Sequence, residues 1–212
     1  MPNLQLKDRL RQSLLAGYYY AGLPLRRMAA RRRAQEGMCP ISVLFYHRVA
    51  DTHPNDWTIS TQDFAGHIDW LQRKFELVSL AEAQLRLRQR SNRRPAVAIT
   101  FDDGYAENCD VALPLLIRRR IPVTYFVTTR NILTGEPFPH DVARGEPLKP
   151  NSIEELRQLA ADGIDIGAHT RSHADLGMLH NPQALYDEVV TAGEEMQTEL
   201  GRPIRYFAFP YG

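Results

Sequence analysis

The sequence predicts an α/β fold built on a parallel sheet, and three observations support this prediction. Short apolar segments with the composition of strands alternate with helical patterns from residue 41 to residue 212. The helical segments begin at capping signals such as Ser60 with Asp63 and Ser152 with Glu155. The residues with useful chemistry directly follow the strands, and barrel enzymes build their sites at the carboxyl ends of strands.

The predicted elements follow one another along the chain. The strands are Ile41–His47, Ala96–Phe101, Val123–Thr128, Ile164–Ala168 and Tyr206–Phe209. Helices are predicted after Ser60, after Ser79, from the second strand to about Arg118, after Ser152, and from Asn181 to Leu200 as the longest helix. Thr134–Pro150 contains two glycines and four prolines and predicts a long loop.

Composition indicates one globular domain preceded by a basic leader. Of the 212 residues, 43% are hydrophobic and 24% are charged. Residues 1–36 hold eight Lys or Arg against two acidic residues. Leu6, Leu10, Leu14 and Tyr18 recur at four-residue spacing, which favours an amphipathic helix. The leader is therefore either a flexible, solvated segment or a peripheral contact with a membrane surface.

The leader does not have the pattern of a cleavable signal peptide. Its apolar run Leu14–Leu25 is shorter than the roughly 20 residues that span a bilayer. Arg26 and Arg27 follow where a small-residue cleavage site would lie. We therefore expect a cytoplasmic or peripherally membrane-associated protein. A basic tail without a nucleic-acid-binding motif does not predict a nucleic-acid partner.

Two adjacent carboxylates stand at the end of the second predicted strand. Ala96–Phe101 has the length and composition of a buried strand, and Asp102, Asp103 and Gly104 follow it. Adjacent residues on an extended chain point in opposite directions, so the acids act differently unless the backbone turns, which Gly104 permits. One acid facing a metal ion and one facing a water molecule would suit a hydrolase. The alternative is a helix N-cap.

Two histidines follow another predicted strand. His169 and His173 are four residues apart, directly after Ile164–Ala168. One helical face or a tight loop can bring such a pair together. With one carboxylate they form a ligand set that leaves positions open for water and substrate on zinc or a similar ion. A His-x3-His pair alone is more often incidental, but its position after a strand favours a metal site.

Three motifs together resemble those of a known family. They are Thr-Phe-Asp-Asp-Gly-Tyr at 100–105, His-Thr-x-x-His at 169–173 and Phe-x-x-Pro-Tyr-Gly at 207–212. In this order they are similar to the first three motifs of the polysaccharide deacetylases, carbohydrate esterase family four. Val43–Val49 also resembles an early strand of many members. Residues 41–212 are thereby identified as the amino-terminal portion of a polysaccharide deacetylase-like catalytic domain.

The resemblance implies a distorted (β/α)7 barrel and a metal-dependent hydrolase. Such an enzyme removes N-acetyl or O-acetyl groups from a polysaccharide or glycan precursor. Asp102 is implied to be the base, and Asp103, His169 and His173 are implied to hold a divalent ion, zinc first, with cobalt or nickel as alternatives. The backbone N–H of Tyr211 is implied to stabilise the oxyanion.

The resemblance also implies that the Thr170 hydroxyl fixes the loop between the two histidines. One departure from the family pattern concerns the base. The third motif usually carries an arginine that orients the catalytic aspartate, and here that position is Ala208. Support for Asp102 is therefore expected to come from elsewhere.

A second departure concerns the end of the sequence. The fourth and fifth motifs of the family follow the third, and the sequence stops at Gly212. We therefore expect a barrel that is incomplete at its carboxyl end. Either the chain is a truncated product or fragment that lacks the acid, or the acid comes from His47, His140 or His180. His47 is the most attractive of these because it also ends a strand.

Two other functions stay open. The chain could be a catalytically impaired fragment that binds a metal or a glycan, or a metal amidohydrolase that acts on a small amide. The sequence makes no prediction of the oligomeric state.

Overall fold

The computed structural model describes residues 2–211, with side chains described from residue 11 onward. Within that range the helices are α1 Pro2–Ala21, α2 Leu23–Gln35, α3 Thr61–Lys74, α4 Leu80–Gln89, α5 Ala112–Arg118, α6 Thr129–Thr134, α7 Pro139–Ala143, α8 Ile153–Ala161, α9 Pro182–Tyr186 and α10 Ala192–Leu200. The strands are β1 Ile41–Tyr46, β2 Arg48–Val49, β3 Thr58–Ile59, β4 Glu76–Leu77, β5 Ala96–Phe101, β6 Val123–Val127 and β7 Asp165–Ala168. Two 3₁₀ turns, Ala106–Cys109 and Leu176–Met178, and one π-helical turn, Asp187–Thr191, complete the secondary structure.

The main sheet is parallel, as predicted. β1, β5, β6 and β7 lie side by side in that order, and β4 pairs with the start of β5. β1 follows the whole of β5, from the Ile41–Ala96 pair to the Tyr46–Phe101 pair. Because the pairings are parallel, the carboxyl ends of these strands meet at one edge. β1 and β7 do not pair within residues 2–211, so the described sheet is an open barrel.

The centre of the sheet is buried, whereas its first strand is not. Every residue of β5 and β6 is buried, as their continuous apolar composition predicts. Side chains of β5 pack in the main core against Phe64 of α3 and Leu113 of α5. Val43 and Phe45 of β1 keep 54% and 59% of their surface exposed. β1 has a neighbour on one side only among the described strands, and this leaves one flank of the strand open.

The predicted helix starts are confirmed by their caps. The side chains of Ser60, Ser79 and Ser152 accept hydrogen bonds from the backbone N–H three residues later. Ser152 and Glu155 form a complete capping box. Gly201 ends α10 with a φ of 64°, a left-handed conformation that glycine adopts without strain.

Three predictions about local structure were wrong or incomplete. Tyr206–Phe209 is not a strand, because it makes a single parallel bridge between Ala168 and Phe207. Residues 181–200 were predicted to form the longest helix, but the π-helical turn interrupts that segment. The longest described helix is α1 instead. The predicted loop Thr134–Pro150 contains α7, since Pro139 stands at its first turn, where the fixed φ of proline favours a helix start.

The leader forms α1 and α2. Leu14 and Tyr18 are exposed, whereas the side chains of Leu6 and Leu10 lie outside the described part of the structure. Among the described residues, no helix combines the length and the apolar composition that crossing a bilayer requires.

Candidate active site

A cavity of about 650 Å³ opens where the strands end. Its lining comes from the residues that follow β1, β5 and β7 and from the last described segment of the chain. The lining residues are Phe45, His47, Trp57, Asp102, Asp103, His140, Arg144, His169, His173, Phe209 and Tyr211. The structure thus brings together all five residues that the sequence singled out for the site. They are Asp102, Asp103, His169, His173 and Tyr211.

A tight turn separates the roles of the two carboxylates. The N–H of Gly104 donates to the C=O of Asp102 (3.0 Å), which closes a three-residue turn centred on Asp103. Asp103 has a φ of 73° and Gly104 a φ of 100°. A Cβ at Gly104 would stand 3.2 Å from both Val127 and Ile132, so the turn needs glycine for space as well as for conformation. The prediction that Gly104 permits a turn is confirmed.

Asp103, His169 and His173 form a compact cluster. Oδ1 of Asp103 lies 3.5 Å from Nε2 of His169 and 3.2 Å from Nε2 of His173. One potential ligand atom from each residue lies within 4.8 Å of the others. Oδ1 of Asp103 is buried and has no hydrogen-bond partner among the described residues. Three potential lone-pair donors that converge this closely fit a divalent cation.

The charges of the cluster favour metal binding. Burial lowers the pKa of His169 to about 4, and the attraction of Asp103 only partly offsets this effect. His169 is therefore neutral near pH 7 and can offer a lone pair. Burial acts against ionisation of Asp103, but His173, His47 and His169 outweigh it and hold the pKa of this carboxyl below its usual value. The cluster thus provides one anion and a neutral imidazole.

A backbone carbonyl orients His169. Nδ1 of His169 lies 3.0 Å from the carbonyl oxygen of Ala208. An N–H at Nδ1 donating to that oxygen leaves Nε2, the atom that faces Asp103, free as an acceptor. The third motif therefore contacts the site through its main chain.

The loop between the two histidines is held differently from the prediction. The Thr170 hydroxyl is buried without a hydrogen-bond partner among the described residues, so the role predicted for it is wrong. The backbone of Thr170 is left-handed (φ 63°), and no described donor or acceptor makes a hydrogen bond to the hydroxyl. Glu188 instead accepts hydrogen bonds from the loop. Sequence analysis missed Glu188, because nothing local distinguishes it from the other acids of that helical segment.

Asp102 has a different environment. Burial raises the pKa of Asp102 to about 7, and the neighbouring Asp103 adds to this effect. Its Oδ1 is buried and makes no hydrogen bond to any described residue. A carboxylate with a pKa near 7 and no fixed partner can accept a proton from a molecule in the cavity.

Two of the three candidate proton donors line the cavity. The ring of His47 packs on Trp57 with centroids 4.6 Å apart. Burial lowers the pKa of His47, and the negative charge of Asp103 only partly offsets this effect. The ring of His140 lies 2.8 Å from the Tyr105 hydroxyl and is therefore already engaged. His180 is not among the lining residues.

A buried polar network supports His47 from behind. The Asn108 amide donates to the C=O of His47 (2.8 Å) and accepts from the N–H of Val49 (2.9 Å). Arg48 is fully buried, pairs with Glu107 and donates to two carbonyl groups of the following loop. The network fixes the corner between β1 and β2 and with it the direction of His47. Sequence analysis did not identify Arg48 or Asn108 as supporting residues.

Tyr211 lies at the mouth of the cavity. Its backbone has a φ of 63°, and its ring centroid is 5.1 Å from that of His173. The backbone N–H of Tyr211 stays the predicted donor to the oxyanion. Gly212, the last residue of the third motif, lies outside the described residues. Asp175 caps the turn at Gly177 and is not part of the cluster.

A family model supplies the identification. The model described as polysaccharide deacetylase matches residues 89–212, more than half of the chain. The chain belongs to the polysaccharide deacetylase family. The match includes all three motifs that carried the resemblance, and the predicted family is confirmed.

Two curated relatives agree with this family. YxkH of Bacillus subtilis (strain 168), whose name places it with the polysaccharide deacetylases, is 26% identical over 176 residues, covering 81% of this chain and 57% of the relative. A chitooligosaccharide deacetylase of Bradyrhizobium sp. (strain ANU 289) is 30% identical over 120 residues, covering 55% of this chain and 46% of the relative. The chain spans about half the length of the curated relatives it matches.

Solved structures confirm the predicted fold. IcaB from Ammonifex degensii superposes with a TM-score of 0.69 at 27% identity, covering 81% of this chain and 74% of that one. The Streptococcus pyogenes deacetylase PplD in complex with acetate gives a TM-score of 0.68 at 19% identity, with the same coverage. The open parallel sheet described above thus matches the polysaccharide deacetylase type of distorted (β/α)7 barrel.

Deacetylases of this family use a divalent metal ion, and the chain has a site that fits one. The observation that supports the fit is the unpartnered, buried Oδ1 of Asp103 between two imidazole nitrogens. Ala208 itself contributes no side-chain hydrogen bond, and Oδ1 of Asp102 has no hydrogen-bond partner among the described residues.

Proposed function

We propose that this chain carries the catalytic machinery of a metal-dependent deacetylase that hydrolyses acetyl groups from a carbohydrate polymer. The observation that carries the proposal is the Asp103–His169–His173 cluster beside Asp102 in one cavity. Deacetylase relatives acting on polysaccharides and chitooligosaccharides support a glycan substrate. N-acetyl groups are the first choice, and O-acetyl groups are the alternative.

In this proposal Asp103, His169 and His173 hold the divalent ion, zinc first, with cobalt or nickel as alternatives. A divalent ion at such a site lowers the pKa of water towards roughly 7 and polarises a carbonyl oxygen. Asp102 takes the proton of the attacking water on a carboxylate oxygen. Its pKa of about 7 suits that task near neutral pH, because the carboxyl can both accept and release the proton.

The remaining groups act on the substrate. His47 is our choice as the proton donor to the departing amine, supported by its position at the end of β1 and its contact with the cavity. The backbone N–H of Tyr211 donates to the developing oxyanion, an interaction typically worth about 3 kcal/mol. The exposed rings of Trp57 and Phe209 offer flat apolar surfaces to a sugar ring at the cavity rim.

Acetate release from an N-acetylated chito-oligosaccharide tests the proposal. The native chain should release acetate, and a chelator or the substitution Asp103→Asn should abolish the release. Asp165→Asn is the matched control, because Asp165 is exposed at the opposite end of β7. No metal-dependent acetate release from any acetylated glycan would refute the proposal.

The alternative is a metal- or glycan-binding fragment without turnover. The unpartnered carboxyl of Asp102 is the observation that favours it. Zinc that is retained after reconstitution, with no acetate released, would support this alternative. Hydrolysis of small amides in the same assay would support the amidohydrolase hypothesis.

For the leader we propose a peripheral contact with an anionic membrane surface. The excess of basic residues over residues 1–36 supports it, as do the exposed Tyr18, Tyr19 and Tyr20 near several arginines. Co-sedimentation with phosphatidylserine vesicles should fall when Arg27, Arg31 and Arg33 are all changed to Gln. Equal partitioning of the native chain and the triple variant would contradict the proposal.

A further inference from the structure

The loop between the two histidines has an unusual backbone. Thr170 and His173 have φ values of 63° and 59°, in a left-handed region that side chains other than glycine rarely adopt. Thr170 is β-branched, which makes this conformation still less favourable. Such residues keep their conformation only where the surrounding structure enforces it. We call residues 169–173 the ligand loop.

Glu188 makes three contacts with the ligand loop. Its Oε2 accepts hydrogen bonds from the N–H groups of Arg171 and Ser172, each at 2.9 Å. Its Oε1 accepts from the Ser172 hydroxyl at 2.6 Å. Two successive N–H groups next to a left-handed residue form a concave anion-binding surface, and here the anion is a side chain of the same protein. Hydrogen bonds to an ionised carboxylate are among the stronger ones.

The π-helical turn brings Glu188 to this position. Asp187–Thr191 lies between α9 and α10, and the N–H of Ala192 donates to the C=O of Asp187, five residues back. A π turn inserts a residue into a helix and rotates the following side chains, and such turns occur frequently at functional sites. The hydroxyl of Thr129 donates to the C=O of Ala192 (3.2 Å), which ties this helical segment to α6.

The far side of the ligand loop is anchored as well. The N–H groups of Thr129 and Arg130 donate to the C=O groups of Thr170 (3.2 Å) and Arg171 (2.8 Å). The Arg171 guanidinium pairs with Glu195 at 2.8 Å. The middle of the loop therefore has its carbonyl groups bound to α6 and its N–H groups bound to Glu188. Among the residues that the structure describes, Glu188 is the one acceptor for the two consecutive N–H groups.

We propose that Glu188 is a positioning residue that sets the separation of His169 and His173 in front of Asp103. This inference rests on the proposed metal centre and names the residue that holds it in shape. Without Glu188 the ligand loop relaxes from its left-handed conformation, and Nε2 of His173 leaves its position 3.2 Å from Oδ1 of Asp103. The predicted consequence is weaker metal binding with an altered coordination geometry.

The test is zinc affinity measured by competition with a chromophoric chelator. Glu188→Ala should weaken zinc binding by about 10- to 100-fold, the usual effect of removing a group that orients a metal ligand. Glu188→Gln keeps one carbonyl acceptor for the two N–H groups and should lose less than about 10-fold. Glu194→Ala, on an exposed position of the same helical segment, is the matched control and should leave the affinity unchanged.

The absorption spectrum of the cobalt-loaded protein distinguishes positioning from a general structural role. Glu188→Ala should change the cobalt bands, and Glu188→Gln should restore them towards the native spectrum. Loss of thermal stability without any change of zinc affinity or cobalt spectrum would overturn the inference, as would equal affinities for all variants. If Glu188→Ala does not fold, the decision rests on Glu188→Met, which keeps most of the side-chain volume but offers no oxygen acceptor to the two N–H groups. Unchanged zinc affinity and an unchanged cobalt spectrum in Glu188→Met would overturn the inference.

The native chain separates this inference from the proposed function. If it binds zinc and the Glu188 variants bind equally well, the positioning role fails and the metal centre stands. If the native chain binds no zinc, the metal centre fails, and the role of Glu188 fails with it.

Discussion

Two sides of the cavity differ in how they are held. Hydrogen bonds fix the side that carries the proposed metal ligands His169 and His173, whereas the Oδ1 of Asp102 on the other side makes no hydrogen bond to a described residue. His169 is oriented by the carbonyl of Ala208, and the loop that ends at His173 is held by Glu188. Asp102 is half-buried, and its buried Oδ1 has no hydrogen-bond partner among the described residues. The ligand side therefore depends on geometry set in advance, whereas the pKa of the proposed base is set by burial first and by the charge of Asp103 second, without a fixed hydrogen bond at its Oδ1.

Backbone strain follows the same division. Four of the seven non-glycine residues with positive φ in the described chain belong to the site, namely Asp103, Thr170, His173 and Tyr211. None of them is Asp102. Conformations of this kind are stable only where neighbouring contacts enforce them, and those contacts are on the ligand side.

The largest expected effect separates the two sides directly. Asp102→Asn removes the proposed base but no ligand, so acetate release should fall by about 10²- to 10⁴-fold while zinc affinity stays within about 10-fold. His173→Asn should reduce both. Kinetic assays and chelator competition on the same preparations provide the measurement. Equal loss of zinc affinity in both variants would show that the two sides are not separable.

The next effect concerns the proton donor. His47→Gln should lower kcat by about 10²-fold and leave zinc affinity nearly unchanged, because removal of a positioned general acid acts on the chemical step. His140→Gln is the comparison, since its ring is held by the Tyr105 hydroxyl. A larger loss in His140→Gln than in His47→Gln would move the donor role to His140.

A smaller effect appears in the stability of the metal-free protein. The pKa of Asp102 rises from its ordinary value of 3.8 to about 7 on folding, so the folded state retains a proton that the unfolded state releases between these values. This contribution to stability is complete below about pH 4 and is lost as the pH rises through about 7. Asp102→Asn should therefore stabilise the metal-free protein above pH 7 by about 2 kcal/mol and have little effect at pH 4. Urea unfolding in a chelator at both pH values measures the difference, and an equal effect at both would contradict the burial argument.

The smallest effect tests the correction at Thr170. Its hydroxyl has no described partner, so Thr170→Val keeps the shape and removes no hydrogen bond. Stability should rise by about 1 kcal/mol, because the substitution removes a buried hydroxyl without a partner, and zinc affinity should stay within about twofold. The result contrasts with the one expected for Glu188→Ala. A loss of zinc affinity in Thr170→Val as large as that in Glu188→Ala would restore the role first predicted for the hydroxyl.

Local patterns predicted the parts of the fold that depend on local sequence. The four long strands and the serine caps were predicted from apolar runs and capping signals, and the motifs at the strand ends predicted the site residues. Tyr206–Phe209 failed as a strand because pairing depends on neighbours that its own composition does not specify. Glu188 was missed because its contact with Ser172 spans 16 residues and depends on the π-helical turn. The helical segment carries several other glutamates, and periodicity does not distinguish among them.

The contact between His169 and Ala208 bears on how the family can vary. A carbonyl group is present whatever the side chain at position 208, so His169 keeps its orientation when that side chain changes. An exchange of arginine for alanine at this position therefore leaves the orientation of the histidine undisturbed. Under the proposed function, position 208 would be a point where the support of the proposed base can drift, or be engineered, independently of the proposed metal ligands.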